Sequence, residues 1–281
     1  MFLPDLLAGK RILVTGGGTG LGAAMVRRFA ELGAKPVICG RRPEPLEETA
    51  VNLLEALGVE VEVHRCDLRM PDAVASMMEA IWARGPLDVL VNNAAATFIA
   101  RSGKLSARAA DAIIAPTLHG ALYCTLEAGR RWIEAGHPGT VLSILSTSTI
   151  TGRAFTMPSA VAKSGVLAMT KSLAVEWGPH GIRLVAIAPG PFPTPGATGQ
   201  LGTGKREGRF AGDRIPLGRV GEHAELANLA SYLVSDQAGY ITGEMVTIDG
   251  GGHLRTSGAE DLLAWTDEDW DAARPARPAK P

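Results

Sequence analysis

Short apolar runs rich in β-branched residues alternate along the chain with longer stretches whose apolar positions recur at helical spacing. Arg11 to Thr15 opens as a strand, and from Gly20 to Leu32 the residues Leu21, Met25, Phe29 and Leu32 share one helical face, with Gly33 placed to end it. The alternation then predicts strands at Pro36–Cys39, Val59–Cys66, Leu87–Val91, Thr140–Leu145, Arg183–Ala188 and Met245–Ile248. Helices are predicted at Pro45–Leu57, Pro71–Trp82, about Ser106–Ala135, Pro158–Trp177 and Glu222–Val234. Continuous apolar strands suit burial on both faces, so the expected fold is α/β: a Rossmann-type doubly wound parallel sheet of about seven strands, in a single domain.

That domain is expected to span residues 1–271, with no internal repeat. Residues 190–220 are rich in Gly and Pro without periodicity, which in an α/β enzyme reads as a substrate lid over the strand ends. Residues 272–281 have the composition of a disordered tail.

A length of 281 residues with 46% hydrophobic content supports a large core. Lys and Arg number 28 against 29 Asp and Glu, a net charge of -1 with no basic stripe, so neither nucleic acid nor an anionic membrane is an expected partner. Cys39, Cys66 and Cys124 are odd in number, widely spaced and set in apolar runs. They read as reduced core thiols of a cytoplasmic protein, not as disulfides or metal ligands. The opening residues lack a signal-peptide pattern and no apolar run spans a bilayer, so neither secretion nor membrane insertion is expected.

Chemistry first shows in Thr15-Gly16-Gly17-Gly18-Thr19-Gly20-Leu21-Gly22, between the first strand and its amphipathic helix. Glycines there let backbone approach a pyrophosphate resting on the helix N-terminus, which assigns Gly16, Thr19, Gly20 and Leu21 to a dinucleotide site. After the second strand the sequence reads Gly40-Arg41-Arg42, with no acidic residue to accept hydrogen bonds from a free ribose. Arg41 and Arg42 favour the extra phosphate of NADP(H). The same pair would also suit a merely solvated turn, and relative affinity for NADPH and NADH separates the two.

With Cys66-Asp67-Leu68 after the third strand, Asn92-Asn93-Ala94-Ala95 after the fourth and Pro189-Gly190-Pro191-Phe192-Pro193-Thr194 after the sixth, the chain resembles the short-chain dehydrogenase/reductase family. The resemblance implies that Asp67 and Leu68 border the adenine and that Asn93 and Ala94 border the adjoining ribose. It further implies that Pro189, Gly190, Phe192 and Thr194 form the nicotinamide turn, that Lys163 holds the nicotinamide ribose, and that the protein is a homotetramer.

Ordinary members carry Tyr four residues before Lys, where the ammonium lowers the phenol's pKa for proton exchange. Here Lys163 follows Ser159, and Pro158-Ser159-Ala160-Val161-Ala162-Lys163 resembles the 2,4-dienoyl-CoA reductase branch. Thr125-Leu126-Glu127, Ala174-Val175-Glu176-Trp177-Gly178, Arg214-Ile215-Pro216-Leu217-Gly218-Arg219 and, near the end, Ser257-Gly258 and Trp270 are similar to that branch too. The resemblance implies NADPH-dependent reduction of a conjugated dienoyl or enoyl CoA thioester in fatty acid metabolism, with negative charge collecting on the thioester oxygen.

The chain departs from its relatives where the branch's upstream tyrosine falls on Ser148 and its assisting asparagine on His119. Candidate catalytic residues are therefore Lys163, Ser159, His119 and Ser148; Tyr123, Tyr232 and Tyr240 match no catalytic position. Pro116 is expected to interrupt helical bonding three residues before His119. Arg101, Lys104, Arg153, Arg206, Arg214 and Arg219 are candidate contacts for coenzyme A phosphates. Two other functions stay open: a carbonyl or imine reductase for a non-CoA substrate, and an NADP(H)-binding protein without turnover.

Overall fold

Seven parallel strands form one sheet in the order β3-β2-β1-β4-β5-β6-β7. They are β1 (Arg11–Thr15), β2 (Lys35–Gly40), β3 (Glu62–Arg65), β4 (Val89–Asn92), β5 (Gly139–Ile144), β6 (Ile182–Pro189) and β7 (Met245–Ile248). This computed structural model describes residues 3–194, 215–255 and 262–273. Residues 195–214 of the predicted lid, with Arg206 and Arg214, lie outside the described residues, as do Ser257, Gly258 and the tail from residue 274.

The helices are α1 (Gly20–Glu31), α2 (Pro43–Leu57), α3 (Pro71–Ala83), α4 (Ala107–Ile114), α5 (Gly120–Ala135), α6 (Ser148–Thr151), α7 (Met157–Trp177), α8 (His223–Val234) and α9 (Asp267–Ala272). One core layer joins the sheet to α1 and α8 through Met25, Phe29, Leu226 and Leu233; the opposite layer joins it to α3 and α5 through Met78, Ile81, Cys124 and Trp132. Both faces are thus covered, as the apolar strands require. Trp132 seals its layer by donating Nε1–H to the Leu87 carbonyl at 2.7 Å.

Two predicted strands start later, by two or three residues, and one predicted helix divides. β3 starts at Glu62 instead of Val59, since pairing with β2 begins only where Val37 meets Glu62. β4 starts at Val89 instead of Leu87: the Leu87 carbonyl is taken by Trp132, and the Asp88 carboxylate by the Arg11 amide at 2.7 Å. The predicted helix from Ser106 to Ala135 is two helices joined by a π turn, Ala115–His119. Pro116 sits in that turn, where the widened ladder absorbs its missing N–H, so the helical path continues into α5 instead of ending.

Helix ends follow local chemistry. Pro43 and Pro71 occupy first turns, where their lost N–H groups would have had no intrahelical partner. Glu222 and Glu225 form a reciprocal capping box at the start of α8. All three cysteines are free and buried; burial pushes the Cys66 thiol up to about 11 and raises those of Cys39 and Cys124 as well. Among the described residues no helix is long and apolar enough to cross a membrane.

Candidate active site

Chain order reverses between β1 and β4, and ligands of open α/β sheets bind outside the carboxyl ends of the strands at such a switch point. Thr15 closes β1 there. Its buried hydroxyl donates to the Val91 carbonyl at 3.2 Å and accepts from the amides of Asn93 and Ala94, each at 3.0 Å. The Asn93 side-chain amide returns the link, donating to the carbonyls of Thr15 at 2.9 Å and Gly16 at 3.3 Å. Side chain and loop are thereby locked together, so Asn93 grips the glycine loop with the amide expected at a ribose.

Beyond that brace, α1 begins without a side-chain cap on Thr19 and without an acidic residue in its first turn. Its leading N–H groups and positive dipole end suit an anion. Close approach fixes the glycines: a Cβ on Gly22 would lie 2.3 Å from the Gly16 carbonyl oxygen, and one on Gly20, at φ +54°, would meet the Thr194 side chain at 3.1 Å. Gly20 and Thr194 are therefore neighbours at the start of α1. Leu21 packs against the core under the loop.

Phe192 turns its side chain inward. Its ring is buried in the core beneath Gly221, because that glycine leaves the space a Cβ would fill. Only its backbone remains for the nicotinamide turn. Pro189 ends β6, its carbonyl accepting the Thr147 amide at 3.4 Å, and the Gly190 amide donates to Ile248 at 2.9 Å. Leu68 is likewise buried, against Gly120 of α5, with the side chain turned inward.

Arg41 and Arg42 are both exposed after β2. Asp67 is engaged by Arg69, whose Nη2 donates at 2.5 Å and Nε at 2.9 Å. The Arg69 guanidinium holds this carboxyl below the usual carboxylate range, and nearby Arg41 adds to the effect. The cations outnumber the acid. Sequence reading missed Arg69, although the Asp-x-Arg spacing was there to be seen.

Lys163 reaches from α7 to donate Nζ to the Ile144 carbonyl at the end of β5. It is only 7% exposed, and burial pulls its ammonium down to about 8. Ser159 lies one turn earlier, half-buried. Ser148 heads α6, buried, with its hydroxyl 3.2 Å from that of Ser146, which also accepts the Ser148 amide at 3.3 Å. Ser146 was not singled out from the sequence.

His119 closes the π turn and is exposed, its ring 6.0 Å from that of Tyr123. Among the described residues no hydrogen bond joins His119 to Lys163, Ser148 or Ser159. The turn is nevertheless close to α7, since a Cβ on Gly165 would lie 2.9 Å from Leu118. Thr117, buried in the same turn, accepts the Ala96 amide at 3.1 Å and so ties the π turn to the loop after β4. Its polarity within an apolar helical face was the available signal.

Residues 16–253 match the family model described as enoyl-(acyl carrier protein) reductase. A probable 2,4-dienoyl-CoA reductase of Bacillus subtilis (strain 168) is 40% identical over 244 residues, spanning 86% of this chain and 96% of that one. The crystal structure of a short chain dehydrogenase from Bacillus anthracis superposes with TM-score 0.79 at 40% identity, covering 88% of this chain and 98% of its own. A gluconate 5-dehydrogenase from Burkholderia cenocepacia, solved in complex with NADP and tartrate, gives TM-score 0.83 at 27% identity, with 90% and 99% covered. The chain belongs to the short-chain dehydrogenase/reductase family and is an oxidoreductase related to the 2,4-dienoyl-CoA reductases.

Proposed function

We propose that this oxidoreductase uses NADPH to reduce a conjugated 2,4-dienoyl or enoyl CoA thioester. The observation that carries the reading is the grouping at the carboxyl ends of the adjacent strands β1, β4 and β5 of an uncapped α1 with Thr194 beside it, the Thr15–Asn93 brace and the buried Lys163. Gly16, Thr19, Gly20 and Leu21 would hold the pyrophosphate, Asp67 and Leu68 the adenine, Ala94 the ribose beside it, and Thr194 with the backbone of Pro189, Gly190 and Phe192 the carboxamide. Arg41 and Arg42 would select the phosphorylated coenzyme, as the NADP held by the gluconate 5-dehydrogenase relative encourages. Bound there, the coenzyme supplies a hydride.

Lys163 then has two tasks that need no phenol. Its ammonium holds ribose hydroxyls, and its charge stabilises negative charge developing on a thioester oxygen. Ser159 and Ser148 supply hydroxyls that relay hydrogen bonds toward that oxygen, and His119, exposed at the end of the π turn, donates from the substrate side. The absence of Tyr four residues before Lys163 disfavours simple alcohol oxidation and favours enolate stabilisation. The names of relatives such as the Bacillus subtilis protein point to the same acyl thioester class.

Val161 and Val175, exposed on the outer face of α7, suit contact with a second copy, in keeping with a homotetramer. The buried free thiols suit a reducing cytoplasm. The test is loss of NADPH absorbance on adding 2,4-hexadienoyl-CoA to the purified protein. Oxidation coupled to formation of an enoyl-CoA supports the reading; coenzyme binding with no oxidation for any thioester refutes it, and no oxidation for carbonyl or imine acceptors either would favour a binding protein without turnover.

A further inference from the structure

Among the described residues Phe155 alone, apart from glycines, has a positive φ, +67°. A large side chain rarely adopts this left-handed region, and such strain persists only where surrounding structure over-determines it, often at ligand sites. Here the surroundings are explicit. The Ala100 amide donates to the Phe155 carbonyl at 2.9 Å, fastening the loop after β4 to the segment between α6 and α7. Thr156, next in sequence, is buried and bonds back to Arg153.

The strained backbone does not serve to bury the ring. Phe155 is 56% exposed, and Ile150 and Met157 on either side of it are exposed as well. A purely structural position with this φ would favour Gly or Asn, which adopt it at little cost. Phe adds both strain and exposed apolar surface, so its advantage lies outside folding. Its position suggests where: between Ser148 and Ser159 in the chain, and hydrogen-bonded to the loop that leads from Asn93 and Ala94. Arg101, Lys104 and Arg153, on the same two segments, are exposed cations.

An aromatic rim with basic neighbours complements a ligand that joins an apolar chain to phosphates. We infer that Phe155 is a specificity-determining residue that packs against the acyl chain of a CoA thioester at the mouth of the site, an inference that rests on the thioester reading above. Ile150 and Met157 extend the apolar wall, and the three cations attract the phosphates.

The test uses the full-length protein loaded with NADP and two thioesters that it cannot reduce, hexanoyl-CoA and decanoyl-CoA, titrated by calorimetry. Wild type is expected to bind the longer chain more tightly by about tenfold or more, since each buried methylene adds affinity. Phe155→Gly should shrink that ratio by about threefold or more while leaving affinity for free coenzyme A unchanged. Its melting temperature should equal or exceed that of wild type, because glycine relieves the backbone. Phe155→Asn, which tolerates the same φ, provides an independent variant should the glycine fail to fold.

An unchanged chain-length ratio in a folded variant overturns the assignment of Phe155 alone. A lower melting temperature with altered subunit assembly, and no change in the ratio, assigns the ring to a contact between copies and also overturns it. If wild type binds neither thioester, this inference and the thioester reading fall together.

Discussion

Asn93 donates its side-chain amide to the Thr15 carbonyl at 2.9 Å, while the Thr15 hydroxyl accepts the Asn93 backbone amide at 3.0 Å. This reciprocal pair joins the ends of two adjacent strands, so the glycine loop has a fixed shape before any ligand arrives. Preorganisation of this kind lowers the ordering cost of binding.

Thr15→Val preserves shape but removes the acceptor for two amides, those of Asn93 and Ala94. The expected loss is about 2–4 kcal/mol of stability in chemical denaturation, from two poorly satisfied buried donors. Thr15→Ser keeps the hydroxyl and should lose less than half as much. Equal losses would mean that the methyl group, not the hydrogen bonds, holds the joint.

Replacing Arg41 and Arg42 together by Gln should weaken NADPH binding by roughly tenfold to a hundredfold, the value of one or two charge-assisted contacts. NADH binding should change little. If both coenzymes weaken equally, the arginines act on the fold of the α2 entrance, where Arg42 is the N-cap residue, and not on the 2′-phosphate.

The sheet was legible because every central strand is apolar on both faces and every crossover carries a helical stripe. The glycines between β1 and α1 were legible as a tight turn because close approach leaves no room for a Cβ on Gly17, Gly18 or Gly22. What escaped had no periodic signature. The π turn keeps the apolar spacing of a helix on either side of Pro116, so only backbone bonding reveals it. α6 is a single turn, and α9 had only a short signal, the Thr266–Asp269 capping box. The inward turn of the Phe192 and Leu68 side chains escaped too, because motifs name positions, whereas the direction of a side chain depends on packing partners such as Gly221 and Gly120.

Lys163 gives the protein a distinctive response to alkali. Burial lowers its pKa from 10.5 to about 8, so between those values the unfolded chain binds the proton and the folded one releases it. Stability contributed at this site must therefore rise with pH across that window, and below pH 8 the buried charge remains a constant cost. Measured against Lys163→Met, coenzyme-free wild type should gain on the order of 3 kcal/mol over the window, from the size of the shift. A difference that stays flat with pH would show that the ammonium is solvated.

Ser148, which the family resemblance matches to the branch's upstream tyrosine, is buried and hydrogen-bonded to Ser146. Ser148→Tyr should raise kcat for 2,4-hexadienoyl-CoA by at least about tenfold, a fraction of the ~10²–10⁴ available from a positioned proton donor. Some stability should be lost to overpacking, about 1–3 kcal/mol. Thioester reduction held at zero, with coenzyme binding intact, would remove Ser148 from the catalytic set.

The central claim is that the loop between β1 and α1 grips a nicotinamide dinucleotide and that the arginines after β2 choose its phosphorylated form. Calorimetric titration of the purified protein with NADPH and with NADH tests this most directly. Saturable one-site binding, tighter for NADPH by roughly tenfold or more, is the expected result. Heat of dilution alone for both coenzymes would contradict the account.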